Sequence, residues 1–309
     1  MNSGRVFVSG GSGFVGSAVI EELTNRGFAV NALVNQKELA ITTGDVRQIR
    51  GGLFDLAALD AAMAGCDAAI HLVGIIMEKP SRQITFQRIH VEGTRAVVDA
   101  AVRGGVRRLV HMSALGTRPD AVSDYHKTKW QAEQIVRSSA LDGTIIRPSM
   151  IHGPRGEFMK MEARWARRKA PPFLFMPYFG AGALGLGGAG IVQPVYVNDV
   201  ARAFVDALQR RQTIGQTYDL GGSQQLTWPQ MHKAFAQAIT GRNRWTAPLP
   251  AWYAKLLTAV LPGSLLPFNR DQVTMSQEDN TADLTNFIHD FGWTPRAFDS
   301  ALPEYASRL

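Results

Sequence analysis

The apolar positions of this chain fall in short blocks that switch between two periods. Arg5-Val-Phe-Val-Ser9 is a continuous, β-branched run such as a strand buried on both faces requires. Phe14, Val15, Ala18, Val19 and Leu23 then recur at helical spacing until Gly27 supplies a stop. The same switch repeats downstream, predicting strands at 28–34, 46–50, 68–74, 107–113 and 144–147. Helices are expected at 56–64, capped by Asp55, at 83–103, ended by Gly104-Gly105, and at 124–139. Strands alternating with helices at this spacing form βαβ units, hence an α/β fold with a doubly wound parallel sheet covered on both faces. Ligands of such sheets gather at the carboxyl ends of the strands, where the strand order reverses. Gly10, Gly74, Ser113 and Pro148 all stand at expected carboxyl ends.

Beyond Pro148 the pattern changes. A helix at 157–169 ends in Arg164, Arg167, Arg168 and Lys169, where cations complement the helix dipole. Residues 170–198 carry no charge, but their prolines and glycines rule out a membrane-spanning helix and predict a flexible apolar loop. A helix to about Leu208, a strand at 216–222 and a capping box at Thr227-Trp-Pro-Gln230 follow. The apolar stretch 251–268, interrupted by Pro262 and Gly263, holds Lys255 as its only cation and is expected in the core; a partner-binding or interfacial helix is the alternative. This organisation implies a nucleotide-binding domain of 1–155 that also receives about 191–222. A smaller substrate or partner lobe would comprise 156–190 and 223–309.

Composition narrows the classes. The single cysteine, Cys66, excludes an internal disulfide. The net charge of +7 is spread in short groups without a recognition motif, which points away from nucleic acid and to an anionic cofactor, partner or membrane surface, a merely solvated surface being the commoner explanation. The first strand starts almost at the initiator Met with no signal peptide before it. A cytoplasmic protein is expected, peripheral at most on the inner face of a membrane. No H-E-x-x-H or Cys/His ligand spacing predicts a metal site, and Ser113 lies in no G-x-S-x-G elbow.

Two stretches carry the chemistry. Gly10, Gly13 and Gly16, with Ser12, Phe14 and Val15 between and beside them, form a glycine turn from strand to helix. Its backbone N–H groups suit a dinucleotide pyrophosphate. At the end of the second strand stand Asn35, Gln36 and Lys37 rather than an acid for the ribose hydroxyls, so NADP(H) is favoured over NAD(H). Tyr125 and Lys129 lie four apart, on one helix face, where an ammonium would favour the phenolate. Ser113 supplies a hydroxyl to orient a carbonyl oxygen. Together they predict hydride transfer with a proton relay.

With these motifs the chain resembles the extended short-chain dehydrogenase/reductase family over nearly its whole length. Ile70-His-Leu-Val-Gly74, Val91-Glu-Gly-Thr94, Arg147-Pro-Ser-Met-Ile-His-Gly-Pro154 and Val195-Tyr-Val-Asn-Asp-Val-Ala201 support the likeness. A narrower one, to the dehydrogenase-like accessory subunit of respiratory complex I and its bacterial relatives, rests on three phrases: His111-Met-Ser-Ala-Leu-Gly116, Tyr125-His-Lys-Thr-Lys129 and Gln193-Pro-Val-Tyr-Val197. The family likeness implies a Rossmann-type domain and a Ser113, Tyr125, Lys129 triad, with Lys129 also on the nicotinamide ribose. It implies cofactor contacts at Leu53, Leu72, Val73 and Gly74, and at Pro148, Ser149, Met150 and Ile151 on the nicotinamide side. The expected function is an NAD(P)-dependent oxidoreductase or epimerase acting on a carbonyl or nucleotide-sugar-like substrate. The narrower likeness implies tightly held NADP(H), a structural role and contact with a membrane respiratory complex. Three departures stand out: Gly52 replaces an adenine-binding Asp, His90 a relay Asn, and Asn35 an Arg for the 2′-phosphate.

Overall fold

The computed structural model describes residues 4–39, 44–261, 266 and 268–309. Its first half runs β1 (Arg5–Ser9), α1 (Phe14–Asn25), β2 (Ala29–Val34), β3 (Val46–Arg50), α2 (Leu56–Met63), β4 (Ala68–His71), α3 (Gly93–Arg103), β5 (Arg108–Met112), α4 (Asp124–Arg137) and β6 (Asp142–Pro148). Then come β7 (Ile151–His152), α5 (Glu157–Ala166), β8 (Phe175–Gly180), β9 (Ile191–Val192), β10 (Val195–Tyr196), α6 (Val197–Gln209) and β11 (Thr217–Leu220). The chain continues through β12 (Leu226–Thr227), α7 (Trp228–Thr240), β13 (Trp245–Pro250), α8 (Ala251–Val260), α9 (Arg270–Met275) and α10 (Thr285–Phe291).

Seven strands form one parallel sheet in the order β11-β6-β5-β4-β1-β2-β3. The order reverses between β1 and β4, which makes that crevice the switch point of a doubly wound sheet. Phe7, Leu109 and Ile145 from the sheet, Leu59 and Met63 from α2 and Val97 from α3 belong to one buried cluster. Each such side chain, removed from water, contributes about 2 kcal/mol before entropy is counted. α1 packs against α6, while α2, α3 and α4 pack in succession. Asp55 caps α2 by accepting from Ala58 N–H at 3.1 Å, and Gly27 ends α1 at φ +80°.

Two compact units result. One comprises Met1–Pro148, Val197–Leu220 and Leu284–Trp293; the other comprises Ser149–Tyr196, Gly221–Asp283 and Thr294–Leu309. α10 joins the first because Phe287 and Phe291 pack on Tyr218 of β11, whose hydroxyl donates to Asp290.

Three expectations change. The helix expected at 83–103 is broken: Gln83 takes a left-handed φ of +57°, and a π-helical turn at Gln87–Glu92 precedes α3. The charge-free segment 170–198 is not one loop, since β8 pairs in parallel with β13 and β9 pairs with β12. Its partners lie far downstream, so local composition displays only the breaks. The stretch expected as core is largely exposed, because Trp252, Leu256 and Val260 of α8 face outward and only Ala251 and Ala254 of that helix are buried. Pro262 and Gly263 lie outside the described residues. Among the described residues no helix is long and apolar enough to cross a membrane.

Candidate functional site

The glycine turn is built so that side chains cannot occupy it. Gly10 has φ +79°, and a Cβ there would lie 3.2 Å from Leu72 and Val73 at the end of β4. At Gly16 the Cβ would fall 2.1 Å from Gly10 O and 2.7 Å from Gly11 Cα, so helix α1 rests directly on the turn. Gly13 is the N-cap of α1 and makes no side-chain capping bond, leaving the helix start to a ligand. Ser12 and Gly13 are exposed, Phe14 is half-buried and Val15 is buried. A concave backbone, an uncapped helix N-terminus and the switch point between β1 and β4 coincide, which fits a dinucleotide pyrophosphate. Asn35 and Lys37, just past β2, are exposed. Leu53 spends its side chain in the core against Gly93, where a Cβ would meet Leu53 Cδ1 at 2.8 Å.

Ser113 follows β5 and is held by its own backbone: its N–H donates to Ile146 O at 2.8 Å, and Leu115 N–H donates to Pro148 O at 2.9 Å. Among the described residues its hydroxyl makes only a long 3.4 Å bond, donated to Thr117 Oγ1. Helix α4 is started by Ser123, whose side chain accepts from His126 N–H, and it carries Tyr125 and Lys129 one turn apart. Tyr125 sits edge-on to Phe86, His90 and His126, with ring centroids 5.2 to 5.8 Å away. Burial pushes its phenol up to about 12, toward the form that keeps its proton on the oxygen. Lys129 is 2% exposed, and its Nζ donates to Met112 O at 3.0 Å. Burial lowers it to about 8 against the attraction of Glu133. Exposed Gly74 leaves room beside it, since a Cβ there would stand 3.0 Å from Nζ. A protonated hydroxyl acid, a second hydroxyl and a poised ammonium are thus carried by β5 and α4 at the carboxyl end of the sheet.

The NAD(P)H-binding family matches residues 10–162. A mitochondrial NADH dehydrogenase [ubiquinone] 1 alpha subcomplex subunit 9 of Arabidopsis thaliana is 28% identical over 263 residues, 82% of this chain, and the chain spans 62% of that protein's length. Cinnamoyl-CoA reductase 1 of Oryza sativa subsp. japonica is 28% identical over 252 residues, 70% of this chain and 71% of that protein. Among solved structures, UDP-glucose 4-epimerase of Thermotoga maritima superposes with a TM-score of 0.74 over 98% of both chains at 19% identity, a likeness of fold alone. Residues 10–162 belong to the NAD(P)H-binding family.

Of the polar groups that hold the site, sequence reasoning marked His90 and missed the roles of His71 and Glu133. His71, buried, shares hydrogen bonds with Ser9 Oγ at 2.6 Å and Thr94 Oγ1 at 3.2 Å, and stacks on His111 at 5.3 Å. Burial holds His71 down at about 3 and His111 well below its ordinary value, so both stay neutral beside Lys129. His90, in the π-helical turn, meets Thr128 Oγ1 at 3.0 Å through Nδ1 and the Ile75 N–H at 3.1 Å through Nε2. Nε2 stands 3.1 Å from Ile75 O as well, and Thr128 gives its own proton to Asp124 O. His90 therefore ties α4 to the segment after β4, where relatives were expected to have Asn. Glu133, fully buried, accepts two 2.7 Å bonds from Arg147 of β6 and one of 2.8 Å from Arg137. That pair fixes the roll of α4 on the sheet. The i, i+4 ladder Lys129, Glu133, Arg137 was the available signal.

The remaining expected contacts divide between the units. Pro148 ends β6, while Ser149, Met150 and Ile151 open the second unit. There the Ser149 hydroxyl donates to Gln193 O, Met150 N–H donates to Asn280 Oδ1 at 3.1 Å, and Ile151 pairs with Val195. Among the described residues no cluster of His, Cys, Asp and Glu is arranged to hold a metal ion.

Proposed function

We propose that the chain is an NAD(P)-dependent oxidoreductase or epimerase that acts at a carbonyl or hydroxyl carbon, with Ser113, Tyr125 and Lys129 as its reacting side chains. The observation that carries this reading is Lys129. An ammonium is driven into a buried position, bound to the carbonyl next to Ser113 and open to the Cβ-free space at Gly74. Desolvating a cation there disfavours folding, so the position is explained by chemistry better than by stability. The turn at Gly10, Ser12, Gly13, Phe14, Val15 and Gly16 would hold the pyrophosphate. Leu53, Leu72, Val73 and Gly74 would line the dinucleotide, and Pro148 to Ile151 its nicotinamide end. When bound, the dinucleotide supplies or accepts the hydride. The Ser113 hydroxyl donates to the substrate oxygen and orients it. Tyr125, which keeps its proton, gives it to that oxygen in reduction, and the Lys129 ammonium stabilises the phenolate left behind. Lys37 with no acid at the end of β2 supports NADP(H) over NAD(H).

The test is nicotinamide fluorescence with NADPH and NADH, followed by turnover on a panel of small carbonyl and nucleotide-sugar substrates. Tyr125→Phe should lose on the order of a hundredfold in turnover with dinucleotide affinity intact. Unchanged turnover refutes the assignment.

A second reading, a nucleotide-holding accessory subunit of NADH:quinone oxidoreductase on the inner face of the membrane, is favoured by one observation. The likeness to the Arabidopsis subunit covers 82% of this chain and is not confined to the dinucleotide-binding part. Comigration with the oxidoreductase after gentle solubilisation tests it, and migration only as a free protein rejects it.

A further inference from the structure

The starts of β8 and β13 form an edge unlike the rest of the second unit. Trp245 pairs with Phe175, and Arg244 Nε donates to Ala166 O at 2.7 Å, so the segment 167–174 and the turn 241–245 run side by side. Phe173, Leu174 and Trp245 stand out from this edge at 55%, 72% and 84% exposure. Arg168, Lys169 and Arg242 are exposed around them, and none enters an ion pair among the described residues. From Phe158 to Asn269 the second unit holds a single acid, Glu162, which is fully buried against His232 at 2.8 Å.

We propose that this edge docks on an anionic lipid bilayer, with Trp245, Phe173 and Leu174 entering the interface and Arg168, Lys169 and Arg242 lying among headgroup phosphates. Charge complementarity selects the occupant: aromatic and aliphatic side chains ringed by unpaired cations match the boundary where headgroup meets acyl chain. The outward face of α8 is apolar too, but Lys255 is its only cation, and it has no part in the proposal. The edge is independent of the dinucleotide site and needs neither functional reading.

The test is vesicle sedimentation of the purified full chain. Neutral phosphatidylcholine vesicles are compared with vesicles in which a third of the lipid is phosphatidylglycerol, at low and high salt. The protein should sediment with the anionic vesicles only and be released by salt. Each cation near an anionic surface is worth roughly fivefold in partitioning, so the Arg168→Gln, Lys169→Gln, Arg242→Gln triple variant should bind on the order of a hundredfold more weakly. Phe173→Asp with Trp245→Glu should also lose binding. Circular dichroism and dinucleotide affinity, read on the same samples, should not move, because these side chains are exposed. Equal sedimentation of the variants overturns the proposal. So does indifference to anionic vesicles combined with capture of a protein from detergent-washed membranes, which would assign the edge to a protein partner.

Discussion

Gly16→Ala isolates the glycine turn from the rest of the molecule. The added methyl would stand 2.1 Å from Gly10 O, 2.7 Å from Gly11 Cα and 2.8 Å from Gly10 C, where ordinary contact begins at 3.4 Å. All three are backbone atoms, so either the turn or α1 must shift by about 1 Å. Two effects on stability oppose each other. Alanine in a helix gains about 1 kcal/mol over glycine, while overpacking of this kind costs about 1 to 3 kcal/mol. The net loss should therefore lie between roughly zero and 2 kcal/mol, a small shift in Tm for a chain of this size. Ligand binding has no such compensation. Donors displaced by about 1 Å lose on the order of a hundredfold, or about 2.7 kcal/mol. Calorimetric titration with NADPH and NADH reads this directly, beside a thermal scan without ligand. Dinucleotide affinity of Gly16→Ala within twofold of the parent, at unchanged Tm, would refute the cradle.

Three further outcomes are expected. Glu133→Gln should destabilise the chain by about 3 kcal/mol in urea unfolding, because it leaves the buried end of Arg147 without its counter-charge and loosens α4; an unchanged midpoint would mean that the pair is dispensable. Lys129→Met should raise stability at neutral pH by roughly 3 kcal/mol. The native pKa of about 8 lies below the unfolded value of 10.5, so the folded state is penalised for holding the proton. That gain should shrink as pH rises from about 8 to about 10.5, and a variant no more stable than the parent at pH 7 would contradict the burial. His71, His90 and His152 are depressed to about 3, 2 and 3, so their contribution is complete above pH 6.5 and is lost as pH falls toward those values. Urea midpoints measured downward from neutral pH should fall, each histidine contributing at most about 1.4 kcal/mol per pH unit, and a flat profile to pH 4 would show that these rings protonate freely.

The sheet was legible because its determinants are local. A buried strand, a glycine that must take positive φ and an amphipathic helix each announce themselves within ten residues, and the βαβ connection then fixes parallel pairing. Gly10, Ser113, Tyr125 and Lys129 were visible for the same reason. What escaped depends on partners distant in sequence. β8 acquires its identity from β13, and Pro177 and Pro248 are tolerated in both because a two-stranded ribbon leaves each strand an edge. The outward apolar face of α8 could not be told from a core helix, since composition gives the stripe but not what covers it.

The same distinction explains the electrostatics of the site. At the level of spacing, Tyr125 and Lys129 form a pair in which the ammonium lowers the phenol's pKa. In the fold both groups are desolvated, and desolvation moves each away from its charged form: the phenol up to about 12 and the ammonium down to about 8. The result is a site that holds its transferable proton on oxygen and keeps a weakened cation beside it, surrounded by His71, His90 and His111 in neutral form. Glu133 is the acid that opposes this drift at Lys129, and it is held in turn by Arg147 and Arg137. Replacing Glu133 should therefore act on turnover through Lys129 as well as on stability. The pH at which activity falls with loss of the Lys129 proton should move downward in Glu133→Gln, a displacement that mere loosening of α4 would not produce.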